Sequence, residues 1–247
     1  MTKFSINLNK IALLRNSRGR NYPDLLAFAR RCLTLGVHGI TVHPRPDERH
    51  VRYSDVPALA RLLQEFPHAE LNIEGNPSPR FVALVLEAQP HQVTLVPDAD
   101  DQLTSDHGWD AVRDLAELRR VVAVFRDAKI RTSLFMDPVP EQVEAASRTG
   151  AERIELYTEA YASSYGSSRQ SAVIARYADA ARQAAALGLG VNAGHDLNLD
   201  NLPTFLREVP DVLEVSIGHA VVCECLELGL KTVLERYLDI VSRGSRG

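Results

Sequence analysis

The sequence predicts an α/β fold in which eight parallel strands alternate with helices and close into one barrel. Its 247 residues, 45% of them hydrophobic, are close to the roughly 250 residues of a single alternating barrel. Short apolar runs rich in β-branched residues recur eight times, and each is followed by a longer stretch of helical period. An open doubly wound sheet is the alternative, because periodicity does not reveal closure. We therefore predict a (β/α)8 TIM barrel as a single domain over residues 1–247.

The eight strands are expected in short apolar segments spread along the whole chain. In order they are Phe4–Asn9, Gly39–His43, Glu70–Glu74, Gln92–Val96, Arg131–Met136, Arg153–Tyr157, Leu189–Asn192 and Leu213–Ser216.

The helices between these strands have recognisable ends. Four begin at capping residues or at a proline in the first turn, namely at Pro23-Asp24, Ser54-Asp55, Ser78-Pro79 and Pro140-Glu141. Gly36, Gly150 and Gly188 each follow a helix and precede a strand by a few residues, as a left-handed cap does.

Composition excludes several classes of protein. The net charge of −4 comes with scattered basic residues, whereas a nucleic-acid-binding protein needs a concentrated basic face. No run approaches the ~18 apolar residues of a membrane span. Three cysteines do not make a disulfide framework, and we expect Cys223 and Cys225 to be buried small hydrophobes in a helix. These features predict a cytoplasmic protein that binds neither nucleic acid nor membrane.

Polar residues follow almost every predicted strand. In a parallel barrel the carboxyl ends of all strands meet at one rim, where the active site lies. This many polar strand ends favour an active site over chance. The residues are Asn7, Asn9, Lys10, His43, Arg45, Glu74, Asp137, Glu155, Thr158, Asn192, His195, Ser216, Gly218 and His219.

Two anion sites are predicted at this rim. Gly194 and Gly218 follow strands seven and eight, where backbone N–H groups and a helix N-terminus bind phosphate in many barrels. Arg15, Arg18 and Arg20 form a cationic cluster in a long first loop, with Lys10 upstream. We interpret Arg20 as a solvated charge.

Four rim residues are suited to proton transfer. Glu74 and Glu155 each sit at or near the end of an apolar strand, where carboxyl pKa values are often raised. Their alternative role is to pair with rim arginines. His43 and His195 are the natural proton carriers near neutral pH.

The rim segments resemble one family, the pyridoxine 5′-phosphate synthases of deoxyxylulose-dependent vitamin B6 synthesis. The segments run in family order over nearly the whole chain. They include Asn7–Ala12, Leu14–Gly19, Gly39–His43, Asn72–Glu74, Leu95–Pro97, Ser133–Phe135, Ile154–Thr158 with Tyr161-Ala162, Val191–His195 and Ile217–Ala220.

The resemblance implies a fold, an assembly and a reaction. The family has a (β/α)8 barrel with extra helices and assembles as a homo-octamer. It condenses 1-deoxy-D-xylulose 5-phosphate with 3-amino-2-oxopropyl phosphate to give pyridoxine 5′-phosphate, phosphate and water. Nothing in the sequence itself calls for a metal or an organic cofactor.

The resemblance also implies residue roles. His43 and Glu74 match general bases, His195 the general acid, and Glu155 a residue that stabilises the transition state. The amino-ketone phosphate positions are matched by Asn7, Arg18, Asp196, Gly218 and His219, and those for deoxyxylulose phosphate by Asn9, Lys10, Arg45, His50 and Thr104. The family often has Asp-His at Asn9-Lys10, and a glycine at Asp196.

Two other functions are compatible with the residues. One is a metal-dependent aldolase or epimerase of sugar phosphates, with His43, Glu74, Glu155 and His195 as ligands. The other is a non-catalytic binding module of the pyridoxal pathway that retains the phosphate sites. The intact set of acid–base residues is evidence against this alternative.

Overall fold

The computed structural model describes residues 1–98 and 105–244, and its eight strands form a closed barrel. Every strand pairs in parallel with the next one in sequence, and β8 pairs with β1, so the predicted barrel is confirmed and the open sheet is excluded. The strands are β1 (Lys3–Asn7), β2 (Gly39–Val42), β3 (Glu70–Gly75), β4 (Gln92–Leu95), β5 (Arg131–Met136), β6 (Arg153–Tyr157), β7 (Gly190–Gly194) and β8 (Val212–Ile217).

In the described ranges, eleven helices surround the eight strands of the barrel. Two helices instead of one follow β1, β6 and β8, so the barrel carries extra helices. The helices are α1 (Asn9–Asn16), α2 (Leu25–Thr34), α3 (Asp55–Leu63), α4 (Pro79–Ala88), α5 (Leu115–Asp127), α6 (Pro140–Ser147), α7 (Glu159–Ser164), α8 (Gln170–Ala186), α9 (Leu202–Glu208), α10 (His219–Leu228) and α11 (Leu230–Arg243).

Most of the predicted helix ends are confirmed. The Asp24 carboxylate accepts a hydrogen bond from the Ala27 N–H at 2.8 Å, and the Ser78 hydroxyl caps α4 in the same way. Gly36, Gly150 and Gly188 have φ of +95°, +90° and +79°, as left-handed caps require. Ser54 precedes α3 without a capping bond from its side chain.

The first strand and the first loop differ from the prediction. β1 ends at Asn7, because Asn9 already begins α1. That helix includes Arg15 and Asn16, which we expected in a long loop. The extra helix positions both residues against the segment that follows β2, with consequences for the site.

The barrel interior is polar. Its side chains bond to strands that are not neighbours in the sheet, so the bonds cross the interior. Glu70 of β3 pairs with Lys3 of β1 and with Arg131 of β5. The Asn192 amide of β7 donates to Gln92 Oε1 of β4 at 3.3 Å. Apolar side chains of the strands therefore form the main core outside the barrel, where they meet the helices.

The two cysteines of α10 are less buried than expected. The helix is present, but Cys223 is exposed and Cys225 half-buried. Only Val221 of α10 is fully buried among the described residues, so the helix lies on the surface with one narrow face inward. In the described ranges, no helix combines the length and apolar character needed to cross a bilayer.

Candidate active site

Two asparagines connect the ends of the first three strands. The Asn7 side chain accepts a hydrogen bond from the Asn9 N–H at 2.9 Å and donates to Glu74 Oε2 at 3.3 Å. Asn9 Oδ1 accepts from the His43 N–H at 2.9 Å. These bonds hold His43 and Glu74 on one side of the rim, as the parallel barrel predicted.

His43 and Glu74 have perturbed pKa values in the directions that burial imposes. Burial lowers the pKa of His43 well below its ordinary value, and the nearby charges of His50, Arg45 and His195 act in the same direction. Burial raises the pKa of Glu74 to about 8, with contributions from the carboxylates of Asp98 and Glu214. At neutral pH the imidazole is therefore a free base, and the Glu74 carboxyl group is mostly protonated with a minor carboxylate fraction.

Glu155 and His195 lie on the opposite side of the barrel. Glu155 is 2% exposed, and burial beside Glu74 and Glu214 raises its pKa well above the ordinary value. Its Oε2 accepts a hydrogen bond from Thr94 of β4 at 3.4 Å. The His195 ring contacts Phe135 and Tyr157 at centroid distances of 5.5 and 5.2 Å, and burial lowers its pKa.

The turn after β7 has a strained backbone. His195 and Asp196 have φ of +76° and +55°, which side chains other than glycine rarely adopt. The Thr158 hydroxyl donates to the Gly194 carbonyl at 2.7 Å and also contacts the His195 carbonyl. Strain of this kind concentrates at functional sites, where the surrounding structure fixes one side-chain direction.

Gly194 has a steric role that the sequence did not indicate. A Cβ atom at this position would lie 2.3 Å from Glu155 Oε1, so only glycine leaves room for that carboxyl group. We expected Gly194 to let a phosphate approach the backbone. Its steric role is to accommodate Glu155.

Gly218 and His219 form the start of α10 at the end of β8. Gly218 precedes the helix and His219 is its first residue, so backbone N–H groups of the first turn face the rim. A Cβ at Gly218 would lie 3.0 Å from both Cβ and the backbone oxygen of Asn7. The His219 ring is exposed, and its Nε2 atom lies 3.6 Å from Cys223 Sγ.

The remaining predicted binding residues differ in exposure. Lys10 is exposed on the first turn of α1, Arg18 is exposed just after that helix, and Asp196 is exposed after β7. Arg45 is 3% exposed, and His50 accepts a hydrogen bond from the Val51 N–H through Nδ1. The His43 and His50 rings are 6.0 Å apart. Thr104 lies outside the described residues.

Arg15 belongs to the framework of the site rather than to its cationic cluster. Its guanidinium forms two bonds with Asp55, at 2.7 and 2.9 Å, and a third with the His50 carbonyl. Asn16 Nδ2 donates to the same carbonyl at 2.7 Å. Arg15 is therefore not available to an anion, and it helps to fix the backbone of His50.

Sequence reasoning missed Asp98, Thr94 and Glu214. Asp98 follows β4 and pairs with Arg45. The segment Leu95–Asp98 contained a signal for it, because Asp98 is an acidic residue at the end of a buried strand, as Glu74 is. Thr94 and Glu214 lie inside strands, where sequence alone does not distinguish inward from outward faces. Within the described ranges, no cluster of three His, Cys, Asp or Glu side chains is arranged to hold a metal ion.

The fold and this rim, with histidines and carboxyl groups at the ends of its strands, define an enzyme of the (β/α)8-barrel class. The chain belongs to the family described as Pyridoxal phosphate biosynthesis protein PdxJ, whose model matches residues 4–243. This membership confirms the resemblance seen in the rim segments.

Two similar relatives agree with this assignment. A Pyridoxine 5′-phosphate synthase from Albidiferax ferrireducens is 50% identical over 98% of both chains. One from Flavobacterium johnsoniae is 53% identical over 96% of this chain and 98% of its own.

Among solved structures, 3-keto-L-gulonate-6-phosphate decarboxylase from Vibrio cholerae matches with a TM-score of 0.65, at 13% identity over 98% of both chains. Phosphoribosyl anthranilate isomerase from Thermotoga maritima matches with a TM-score of 0.63, at 12% identity over 98% of this chain and 99% of its own. At such low identity these two structures show the shared barrel alone.

Proposed function

We propose that this chain condenses 1-deoxy-D-xylulose 5-phosphate with 3-amino-2-oxopropyl phosphate to form pyridoxine 5′-phosphate, phosphate and water. The observation that carries the proposal is the full-length match to relatives named Pyridoxine 5′-phosphate synthase at about half identity. The reaction needs an imine, the loss of water, removal of a carbon-bound proton, departure of phosphate and ring closure. Each step moves a proton, so several acid–base groups around one cavity fit it.

In this mechanism His43 and Glu74 are the general bases. His43 is neutral at pH 7 because burial lowers its pKa, so its free nitrogen can accept a proton. Glu74 has a pKa raised to about 8, which makes its carboxylate form a stronger base than an exposed glutamate. Asn7, which donates to Glu74, orients that carboxyl group.

His195 is the general acid and Glu155 stabilises the transition state. Burial lowers the pKa of the His195 ring, and a substrate phosphate dianion nearby raises that pKa and makes the ring a proton donor. Burial raises the pKa of Glu155 well above its ordinary value, which favours the protonated form. A neutral carboxyl group donates a hydrogen bond to an oxygen that becomes negative.

The two substrates occupy different parts of the rim. Asn7, Arg18, Asp196, Gly218 and His219 hold the amino-ketone phosphate, with the N-terminus of α10 facing its charge. Deoxyxylulose phosphate is held by Asn9, Lys10, Arg45, His50 and Thr104. Lys10 replaces a common histidine, and the exposed Asp196 contributes through its backbone.

The assembly and location complete the proposal. The enzyme is a cytoplasmic homo-octamer that takes up small phosphorylated substrates and needs no cofactor. Sedimentation of the purified full chain tests the octamer.

The test of function is incubation of the chain with both substrates while product absorbance and free phosphate are followed together. Equal amounts of product and phosphate are expected, with no effect of a chelator. Inactivation by a chelator would support the metal-dependent aldolase or epimerase instead. Binding of product without turnover would support a non-catalytic module.

A further inference from the structure

Asp98 lies at the end of β4 and contacts a predicted substrate-binding residue from another loop. Its Oδ2 is 2.7 Å from Arg45 NH1, and both side chains are 3% exposed. The Ser105 hydroxyl donates to the same oxygen at 2.8 Å. The carboxylate therefore joins the segment after β2 to the segment after β4.

This ion pair is a poor source of stability. Removing two charges from water costs as much as their attraction returns, and apolar pairs often replace buried ion pairs without loss. Asp98 Oδ1 is also buried, and it accepts no hydrogen bond within the part of the chain that is described. A carboxylate kept in such surroundings calls for an explanation other than folding.

The geometry of the Arg45 guanidinium provides an explanation for this carboxylate. Its N–H groups form a rigid planar fork, so fixing NH1 also fixes the directions of the remaining N–H groups. Arg45 lines the small cavity of about 20 Å³ that His43 and Asp98 share. A guanidinium held in this way meets an incoming phosphate without first losing side-chain freedom.

We propose that Asp98 is a positioning residue that holds Arg45 in the orientation that binds the phosphate of the deoxypentulose substrate. The inference rests on the proposed function, because Arg45 binds that substrate only if the reaction is the one proposed. Asp98 acts through Arg45 and does not itself touch the phosphate.

Charge alone predicts the opposite effect. A carboxylate beside Arg45 repels a phosphate dianion, so if neutralisation were its only effect, Asp98→Asn would tighten binding. If Asp98 positions Arg45, the same change weakens binding. The sign of the change in affinity therefore separates the two roles.

The test is calorimetric titration and steady-state kinetics of the full chain with each substrate. Asp98→Asn is expected to raise Kd and KM for 1-deoxy-D-xylulose 5-phosphate at least tenfold. The KM for the amino-ketone phosphate is expected to change less than threefold. Asp98→Glu, which restores the charge, is expected to recover part of the affinity.

A double-mutant cycle then identifies the route of the effect. In an Arg45→Ala background, Asp98→Asn is expected to add nothing to the loss of affinity. Additive losses would mean that Asp98 acts independently of Arg45, and unchanged or tighter binding by Asp98→Asn would also overturn the proposal. If Asp98→Asn does not fold, Ser105→Ala removes one bond to the carboxylate, and an unchanged KM in that variant contradicts positioning.

Two controls keep the conclusions separate. Glu70→Gln removes a carboxylate with two ion pairs at the start of β3, at the opposite end of the barrel, and is expected to lower stability without a selective change in KM. If the wild-type chain forms no product and binds neither substrate, the proposed function fails. If the wild type works and Asp98→Asn behaves like it, only the positioning role fails.

Discussion

Glu74 illustrates how a single residue links burial to chemistry. Its side chain contacts Asn7 and lies near the charges of Asp98 and Glu214, and burial raises its pKa to about 8. At pH 7 about a tenth of such a group is ionised. Because the carboxylate is the active form of a base, its population grows as the pH rises towards and past 8.

We therefore expect kcat/KM of the wild-type chain to rise with pH up to about 8, in step with ionisation of Glu74. Glu74→Gln is expected to lower kcat by roughly two to four orders of magnitude, with substrate affinity nearly unchanged, and to remove that inflection. Stopped assays of product across pH 6–9 measure both effects. Near-normal turnover by folded Glu74→Gln would assign the base to another residue.

Lys10 is the second residue for which the structure sharpens a choice. It is exposed on the first turn of α1, and its charge lowers the pKa of both His50 and His195, which places it beside the site. A lysine here could form a Schiff base with the ketone or act as an electrostatic clamp. The substrate amine already supplies the imine nitrogen, which favours the clamp.

Lys10→Arg is expected to keep much of the activity, because a clamp needs only charge and reach. Lys10→Ala is expected mainly to raise KM for deoxyxylulose phosphate. Borohydride reduction with that substrate, followed by mass spectrometry, is expected to leave Lys10 unmodified, with the exposed Lys231 as the reference peptide. A reduced adduct on Lys10 would contradict the clamp.

At the scale of elements, the junction of β8 with α10 depends on close packing against β1. The Cβ absent from Gly218 leaves room for Asn7, whose amide orients Glu74. The φ of Gly218 is −127°, so the requirement for glycine is steric and not conformational.

Gly218→Ala is expected to push Asn7 aside and to weaken binding of the amino-ketone phosphate at least tenfold, with a modest loss of thermal stability. Calorimetric titration measures the affinity. Gly244→Ala is the matched control, because its Cβ would meet Leu206 at the same 3.0 Å but far from the rim. Equal effects of the two substitutions on affinity would show that the result reflects general destabilisation.

The elements also show what the sequence could and could not predict. All eight strands were found because alternation of strand and helix is a local pattern, and the rim residues followed because parallel strands end together. Arg15 was misassigned because its partner Asp55 is forty positions away. The sequence predicted that Gly194 has a function. It could not predict the close approach of Glu155, because that approach depends on the pairing of β6 with β7.

For the whole molecule, the polar interior makes stability depend on pH. Glu214 is 5% exposed, and burial raises its pKa from 4.5 to about 6, an effect that Arg153 at 3.8 Å partly offsets. The folded state therefore holds this proton more tightly than the unfolded state. Its contribution, about 2 kcal/mol, is fully present below pH 4.5 and is lost as the pH rises through 6.

We expect Glu214→Gln to reduce this loss, so that the free energy of unfolding of the variant falls less than that of the wild type between pH 4.5 and 7. His50, with its pKa lowered to about 4, acts in the opposite direction in both proteins and cancels in the comparison. Urea unfolding between pH 4.5 and 7 measures the free energy of unfolding of each protein, and Glu87→Gln on the exposed face of α4 is the control. Parallel curves for wild type and Glu214→Gln would show that Glu214 titrates normally.

The bonds across the barrel interior also affect how the chain folds. They join β1 to β3, β3 to β5, β4 to β6 and β4 to β7, so each part of the barrel holds polar groups whose partners lie in another part. A half-barrel ending after β4 would lack the bonds from Glu70 to Arg131 and from Gln92 to Asn192. These bonds form only when both halves of the barrel are present, which favours the folding of the eight strands together.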